Sequence, residues 1–188
     1  MLIRFVAVLA GLSLLICIHS NANAGYLAAG GGYNTENEQA SASFETGEYG
    51  VELGDFDLLF GIGFPIIPYG DKNLPDDTIE SECPNDNCID KDSEYKGTEM
   101  GGYVKIGIRF LTDSLYLNLI GGATVVTESE IVYSAATDRY YEESSDTVTN
   151  TLYGAGFGFF PEIMDWQLMF MLDYDNRRGI TGLVGFYW

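Results

Sequence analysis

Along most of residues 25–188, apolar and polar side chains alternate one by one, the period of an extended strand with two unlike faces. In WQLMFMLDY, Trp166, Leu168, Phe170, Leu172 and Tyr174 fall on one face, and Gln167, Met169, Met171 and Asp173 on the other. YVKIGIRF sets Val104, Ile106, Ile108 and Phe110 against Tyr103, Lys105, Gly107 and Arg109, and LYLNL sets Leu115, Leu117 and Leu119 against Tyr116 and Asn118. No stretch carries the i, i+3, i+4, i+7 spacing of an amphipathic helix. The pattern predicts eight strands, at about 26–35, 43–54, 57–67, 98–111, 114–126, 147–160, 166–174 and 179–188. Short connections are expected at 55–56, 112–113 and 161–165, and longer ones at 36–42, 68–97 and 127–146; only 175–178 departs from this alternation. All the short turns then emerge at one end, and an even strand number returns both termini to that end.

The same alternation suits a soluble ligand-binding barrel with its apolar face inward and a membrane barrel with that face outward. The aromatic residues separate the two. With the apolar face outward, Phe110, Phe159, Trp166 and Trp188 stand at the short-turn end, and Tyr33, Tyr49, Tyr153 and Tyr174 at the long-loop end. Two aromatic girdles around an aliphatic band are what the two interfaces of a bilayer select, whereas strand propensity alone would scatter these rings. Lys105 and Arg109 then face the lumen; on the lipid face, near the midplane, each would cost about 2–4 kcal/mol. The expected fold is all-β: an antiparallel, up-and-down, eight-stranded transmembrane β-barrel with short periplasmic turns and longer extracellular loops. A soluble periplasmic ligand-binding barrel is the weaker alternative.

The first 24 residues sharpen this expectation. Arg4, an apolar run to Ile18 and the segment Ala22-Asn23-Ala24 make a cleavable secretory signal peptide. The run is at or below the roughly 17–25 residues of a spanning helix. Ile16 stands where a small residue would precede a lipidated Cys17. Residues 25–188 then form one barrel domain, sited in the cell outer membrane. Removing residues 1–24 takes away Arg4 and none of the 28 acidic residues, so the formal charge of −19 becomes more negative by one. Nucleic acid is excluded as a partner by repulsion. Two cysteines remain, Cys83 and Cys88, and after export they are expected to form a local disulfide, constraining the unfolded chain by about 2 kcal/mol.

In the lumen the pattern places Glu48, Glu52, Asp57, Tyr103, Lys105, Arg109, Tyr116, Asn118, Gln167, Asp173 and Tyr187, with Arg109 near the level of Glu52 and Asp57, and Lys105 near Glu48. Gly30, Gly32, Gly154, Gly156 and Gly158 face the same interior and leave room for bulky side chains opposite. A charge-paired plug is expected, because an eight-stranded barrel is barely wide enough for its own side chains; a selectivity site in a narrow pore is the alternative. The sole histidine, His19, leaves with the signal peptide, so the usual base near neutral pH is absent and no enzyme is expected. The second and third long loops are strongly acidic. Within them Asp90, Asp92 and Glu94 of DKDSE offer alternate carboxylates for weak Ca²⁺ or Mg²⁺ binding, although Tyr95 stands where an EF-hand loop needs glycine.

The final strand carries the most specific resemblance. Trp188 and Phe186 are aromatic at the last position and two before it, Val184 continues their face, and Thr181 is polar seven before the end. This ending, with the eight strands and the turn asymmetry, resembles the small outer-membrane β-barrel families of Gram-negative bacteria, of the OmpA transmembrane-domain and OmpX type. The resemblance implies an assembly signal at Thr181, Val184, Phe186 and Trp188 read by the barrel-assembly machinery, with outer-membrane lipid as the other partner. Leu183 occupies the place where such signals carry glycine, and the terminal Trp stands where Phe is usual. The resemblance further implies a non-enzymatic role in envelope structure or surface interaction. The alternative is a narrow transport barrel for small or hydrophobic solutes, of the OmpW type.

Overall fold

The computed structural model describes the backbone of residues 25–35, 38–53, 56–70, 75, 78–84, 88–110, 115–163 and 166–188, and their side chains except at 48–53, 70, 90–92, 162–163 and 166–167. Residues 1–24, where a signal peptide is expected, lie outside these residues. The strands are β1 (Gly25–Asn34), β2 (Gln39–Leu53), β3 (Phe56–Gly70), β4 (Cys88–Phe110), β5 (Leu115–Ser134), β6 (Arg139–Phe159), the two-residue β7 (Glu162–Ile163), β8 (Trp166–Asp175) and β9 (Gly179–Tyr187). Each pairs antiparallel with its neighbour in sequence, except that β6 pairs with β8 and β7 sits in the connection between them. β9 pairs with β1 from Tyr187↔Tyr26 to Ile180↔Tyr33. Eight strands therefore close into a barrel with no open edge in its wall, which satisfies the backbone groups that a bilayer would leave without partners.

The two faces are sorted as the alternation requires. Val104, Ile106 and Ile108 of β4 and Leu115, Leu117 and Leu119 of β5 are exposed outward, while Tyr103, Lys105, Tyr116 and Asn118 between them are buried. Tyr33, Tyr153 and Tyr174 are exposed at the upper end of this band, and Phe159 and Trp188 at the lower end. The side chains of Tyr49 and Trp166 lie outside the described residues. The barrel is thus apolar outside and polar within, the inverse of a soluble one.

Inside, below mid-height, Tyr26, Leu59, Tyr116, Phe160, Met169, Met171 and Leu183 pack into one apolar cluster, with Tyr187 against it. The large side chains need small partners across the wall. A Cβ on Gly63 would come within 2.0 Å of the Tyr103 ring, so β3 carries glycine where that ring lies across it.

Several strands run further than the hydrophobic pattern predicts. The expected loop 127–146 is mostly strand: β5 continues to Ser134, a four-residue turn follows, and β6 starts at Arg139. The expected loop 68–97 shrinks to the 71–87 connection, and the expected loop 36–42 is strand from Gln39 onward. Beyond the band the alternation becomes more polar, which hides the strand from a hydrophobic pattern, while cross-strand pairing continues through bulges at Lys96–Met100, Asp90–Asp92 and Glu130–Ile131. β3–β4 pairing ends at Gly70↔Gly97 and β6–β8 pairing at Gly154↔Asp175. Above those levels β4, β5 and β6 stand clear as a three-stranded sheet, paired as far as Cys88↔Ser134 and Ser134↔Arg139.

Candidate functional site: the barrel interior and the sheet above it

At mid-height in the lumen Lys105, fully buried, lies 2.5 Å from Glu45 and 2.8 Å from Asp173. Glu45 also accepts hydrogen bonds from the Tyr26 hydroxyl at 2.6 Å and the Tyr103 hydroxyl at 3.0 Å. Asp173 accepts one from the Asn118 amide at 3.2 Å. Both carboxylates are therefore paired and hydrogen-bonded, the condition on which a buried charge persists. Below this level Arg109 donates from Nε and Nη2 to Asp57 Oδ2 at 3.1 and 2.5 Å.

The expected partner of Lys105 is Glu48; the structure supplies Glu45 instead. The reason is a β-bulge. Tyr49 pairs with Leu59 and Val51 with Leu58, so one extra residue shifts the parity of β2. Above the bulge Ser41, Ser43 and Glu45 are buried and Phe44 is exposed; below it Glu52 stands opposite Asp57. A single unbroken alternation through Glu48 and Glu52 cannot see that change of face. In the register Glu48 is opposite Phe60; the side chains of Glu48, Glu52 and Gln167 lie outside the described residues.

The upper lumen is closed by residues that sequence reasoning passed over. The β8–β9 turn, held by Gly179 at a φ of +67°, where a Cβ would meet the Tyr33 carbonyl oxygen at 2.4 Å, turns two arginines inward. Arg178 is fully buried, 2.5 Å from Asp175, and donates to Ser43 Oγ at 2.8 Å and the Tyr103 hydroxyl at 3.1 Å. Its guanidinium lies 4.4 Å from the centre of the Tyr103 ring. Arg177 reaches across the mouth to Glu99 with Nε at 2.8 Å and Nη2 at 2.5 Å, and Tyr69 and Thr124 donate to the same carboxylate. The sequence signal was the adjacent pair Arg177-Arg178 in the one extracellular connection too short to be a solvated loop.

Outside the barrel, the described residues 78–84 of the connection lie against the sheet. Ile79 bridges to β6 beside Tyr141, its N–H donating to the Tyr140 carbonyl and its carbonyl accepting from Glu142 N–H, both at 3.0 Å. Lys96 of β4 bonds Glu80 at 2.7 Å and Glu142 at 3.0 Å, and Ser129 donates to Glu142 at 2.6 Å. Hydrogen bonds to Glu80 and Glu142 raise the pKa of Lys96 against a smaller opposing effect of burial. Burial pushes Glu142 up, but the hydrogen bonds from Ser129 and Lys96 outweigh it and hold the carboxyl below its ordinary range. A disulfide joins Cys83 to Cys88 at the end of this connection, close to Glu143. Asp90, Asp92 and Glu94 belong to β4 rather than to a loop, paired with Val132, Ile131 and Ser129 and interrupted by a bulge between Asp90 and Asp92. The side chains of Asp90 and Asp92 lie outside the described residues.

Of the terminal residues, Thr181 is buried in the lumen opposite Asp173, while Val184, Phe186 and Trp188 are exposed outward. Trp188 and Gly25 exchange two backbone hydrogen bonds of 2.9 Å, completing the β9–β1 seam.

No protein-family model matches the chain, and no curated protein matches it in sequence. Among solved structures it is similar to Ail, the attachment invasion locus protein of Yersinia pestis, with 11% identity and a TM-score of 0.43 over 88% of this chain and 95% of that one. A second structure of Ail, in complex with the heparin analogue sucrose octasulfate, aligns over the same shares with 13% identity and a TM-score of 0.36.

Proposed function

We propose that this protein is a non-enzymatic integral outer-membrane barrel, plugged by its own side chains, that acts at the cell surface through the sheet standing above its lumen. The observation that carries the plug is the continuous ladder of paired charges: Asp57 with Arg109, Lys105 between Glu45 and Asp173, Arg178 with Asp175, and Arg177 with Glu99. Asp57 and Arg109 pair between adjacent strands, and at the higher levels Lys105, Arg178 and Arg177 bond across the barrel, which leaves an ion no file of exchangeable ligands to follow. The outward apolar band, the tyrosines above it and Trp188 below it support the membrane assignment. Assembly at β9 by the insertion machinery is part of this proposal, with Phe186 and Trp188 as its outward-facing determinants.

Planar-bilayer recordings of the reconstituted chain are expected to show no steady conductance; a large, stable pore overturns the plug.

The sheet supports surface interaction for a separate reason. On the side of β6 that faces away from β5, Ile79 covers the strand at Tyr140–Glu142, and Asn176 covers it by bonding Thr151 and Tyr153. Between them, residues 143–150 have no backbone partner on that side among the described residues. An unpaired edge accepts an extended segment of another protein as an added strand. Cells displaying the full chain are expected to attach to protein-coated surfaces more strongly than cells displaying a variant with 128–145 replaced by a tight turn. Equal attachment at equal surface density counts against the sheet as the interacting element.

A further inference from the structure

On the outer wall, over β3, β4 and β5, lies an apolar groove of about 290 Å³ walled by Ile62, Phe64 and Val104 and floored at Gly102 and Gly121. It sits where the β3–β4 pairing is interrupted. The register runs unbroken from Phe56↔Phe110 to Gly63↔Tyr103 and resumes at Ile66↔Met100, so Phe64 and Pro65 pass Gly101 and Gly102 without pairing. Pro65 has no N–H to donate there. A Cβ on Gly121 would meet nothing within 4 Å, and one on Gly102 only the Gly63 carbonyl oxygen at 3.9 Å. These two glycines therefore leave space that no side chain of the barrel fills. Behind the groove the interior is closed by Tyr103, which is buried and bonded to Glu45.

We infer that this groove is a binding site for one acyl chain of a bilayer lipid. The inference rests on the membrane-spanning assignment proposed above. Three observations favour a hydrocarbon chain over other occupants. The groove opens outward within the exposed apolar band, between Ile106 below and Val125 above, so the phase in front of it is lipid. Its walls and floor are carbon, with no charged side chain to fix a polar ligand. Its volume is at the lower limit of small-molecule pockets, enough for a length of chain, and its few wall residues fall far short of the roughly 800 Å² per partner of a stable protein interface. A second copy of the barrel seated here would also bring together two chains of formal charge −19, with their acidic upper sheets side by side.

The test is native mass spectrometry of the folded, heat-modifiable barrel released from vesicles of dipalmitoylphosphatidylethanolamine. The wild-type chain is expected to retain one lipid under activation that strips the remainder. Gly121→Leu and Gly102→Leu, which fill the groove without a backbone clash, are expected to reduce that one-lipid species by about ten-fold. Gly182→Leu is the control, since it adds the same side chain to open outer surface on β9. Absence of a retained lipid in the wild type, or equal retention in all four chains, overturns the inference. So does a wild-type dimer that Gly121→Leu converts to monomer, which would identify a second copy as the occupant. Failure of the wild type to enter vesicles at all would instead strike at the membrane assignment.

Discussion

The two sides of the barrel differ in height, and the difference explains how one simple pattern makes two kinds of surface. β8, β9 and β1 have 10, 9 and 10 residues, about the number that crosses a bilayer at a tilt, and turn over as soon as the apolar band ends. β4, β5 and β6 have 23, 20 and 21 residues and carry the same band, but continue above it as a free-standing sheet. The short wall contributes the cations that close the mouth, Arg177 and Arg178. The tall side contributes Glu99 and Tyr103, which receive them, and Thr124, which donates to Glu99. The mouth is thus closed between a turn of the short wall and inward side chains of the tall strands that pass its level.

The comparison breaks most severely at the centre, where both walls meet on Lys105. Lys105→Met leaves Glu45 and Asp173 buried without their cation, and a loss of about 3–5 kcal/mol is expected in urea unfolding from lipid vesicles. An unchanged midpoint would mean that the two carboxylates are not held as an ion pair. Converting Glu45→Gln and Asp173→Asn in the same chain should recover much of the loss, because the buried charges then vanish together.

The band and the sheet can be separated within one strand. Ile106 and Ile89 are both exposed outward on β4, one inside the band and one near the sheet's tip. Ile106→Lys should cost about 2–4 kcal/mol by exposing a charge to hydrocarbon. Ile89→Lys, in water, should stay within about 0.5 kcal/mol of the wild type. Equal effects would remove the distinction on which the membrane assignment rests.

Smallest is the effect of the contacts that tie the 71–87 connection to the tall wall. Glu142, with its folded pKa depressed, contributes docking that is present above its unfolded value of about 4.3 and is lost as pH falls through the lower folded value. Lys96, with its folded pKa raised, contributes docking that is complete below about 10.4 and is lost as pH rises through the higher folded value. Hydrogen exchange at the Glu142 amide, corrected for its intrinsic pH dependence, should therefore show a plateau of protection across neutral pH with a fall at each extreme. Glu142→Gln should abolish the acidic fall and cost no more than about 1 kcal/mol, as for other partly exposed pairs. Protection that ignores pH would show that the Ile79 backbone bridge holds the connection alone.

The amino-acid sequence by itself determined the sorting of faces and the closed eight-strand meander, because period-two alternation and the placement of turns act locally and repeat along the whole chain. It determined that Tyr103, Lys105, Arg109 and Asp173 face inward, since each lies in a strand whose apolar face is unambiguous. Tertiary structure alone decided the partners. One extra residue between Tyr49 and Val51 exchanged Glu48 for Glu45 at Lys105, and no alternation reports a bulge. The height of the tall wall was likewise invisible, because strands in water need no apolar face once cross-strand pairing is under way. Arg177 and Arg178 find Glu99 and Tyr103 only when the β8–β9 turn meets β4 at the mouth, a relation between elements far apart in the chain.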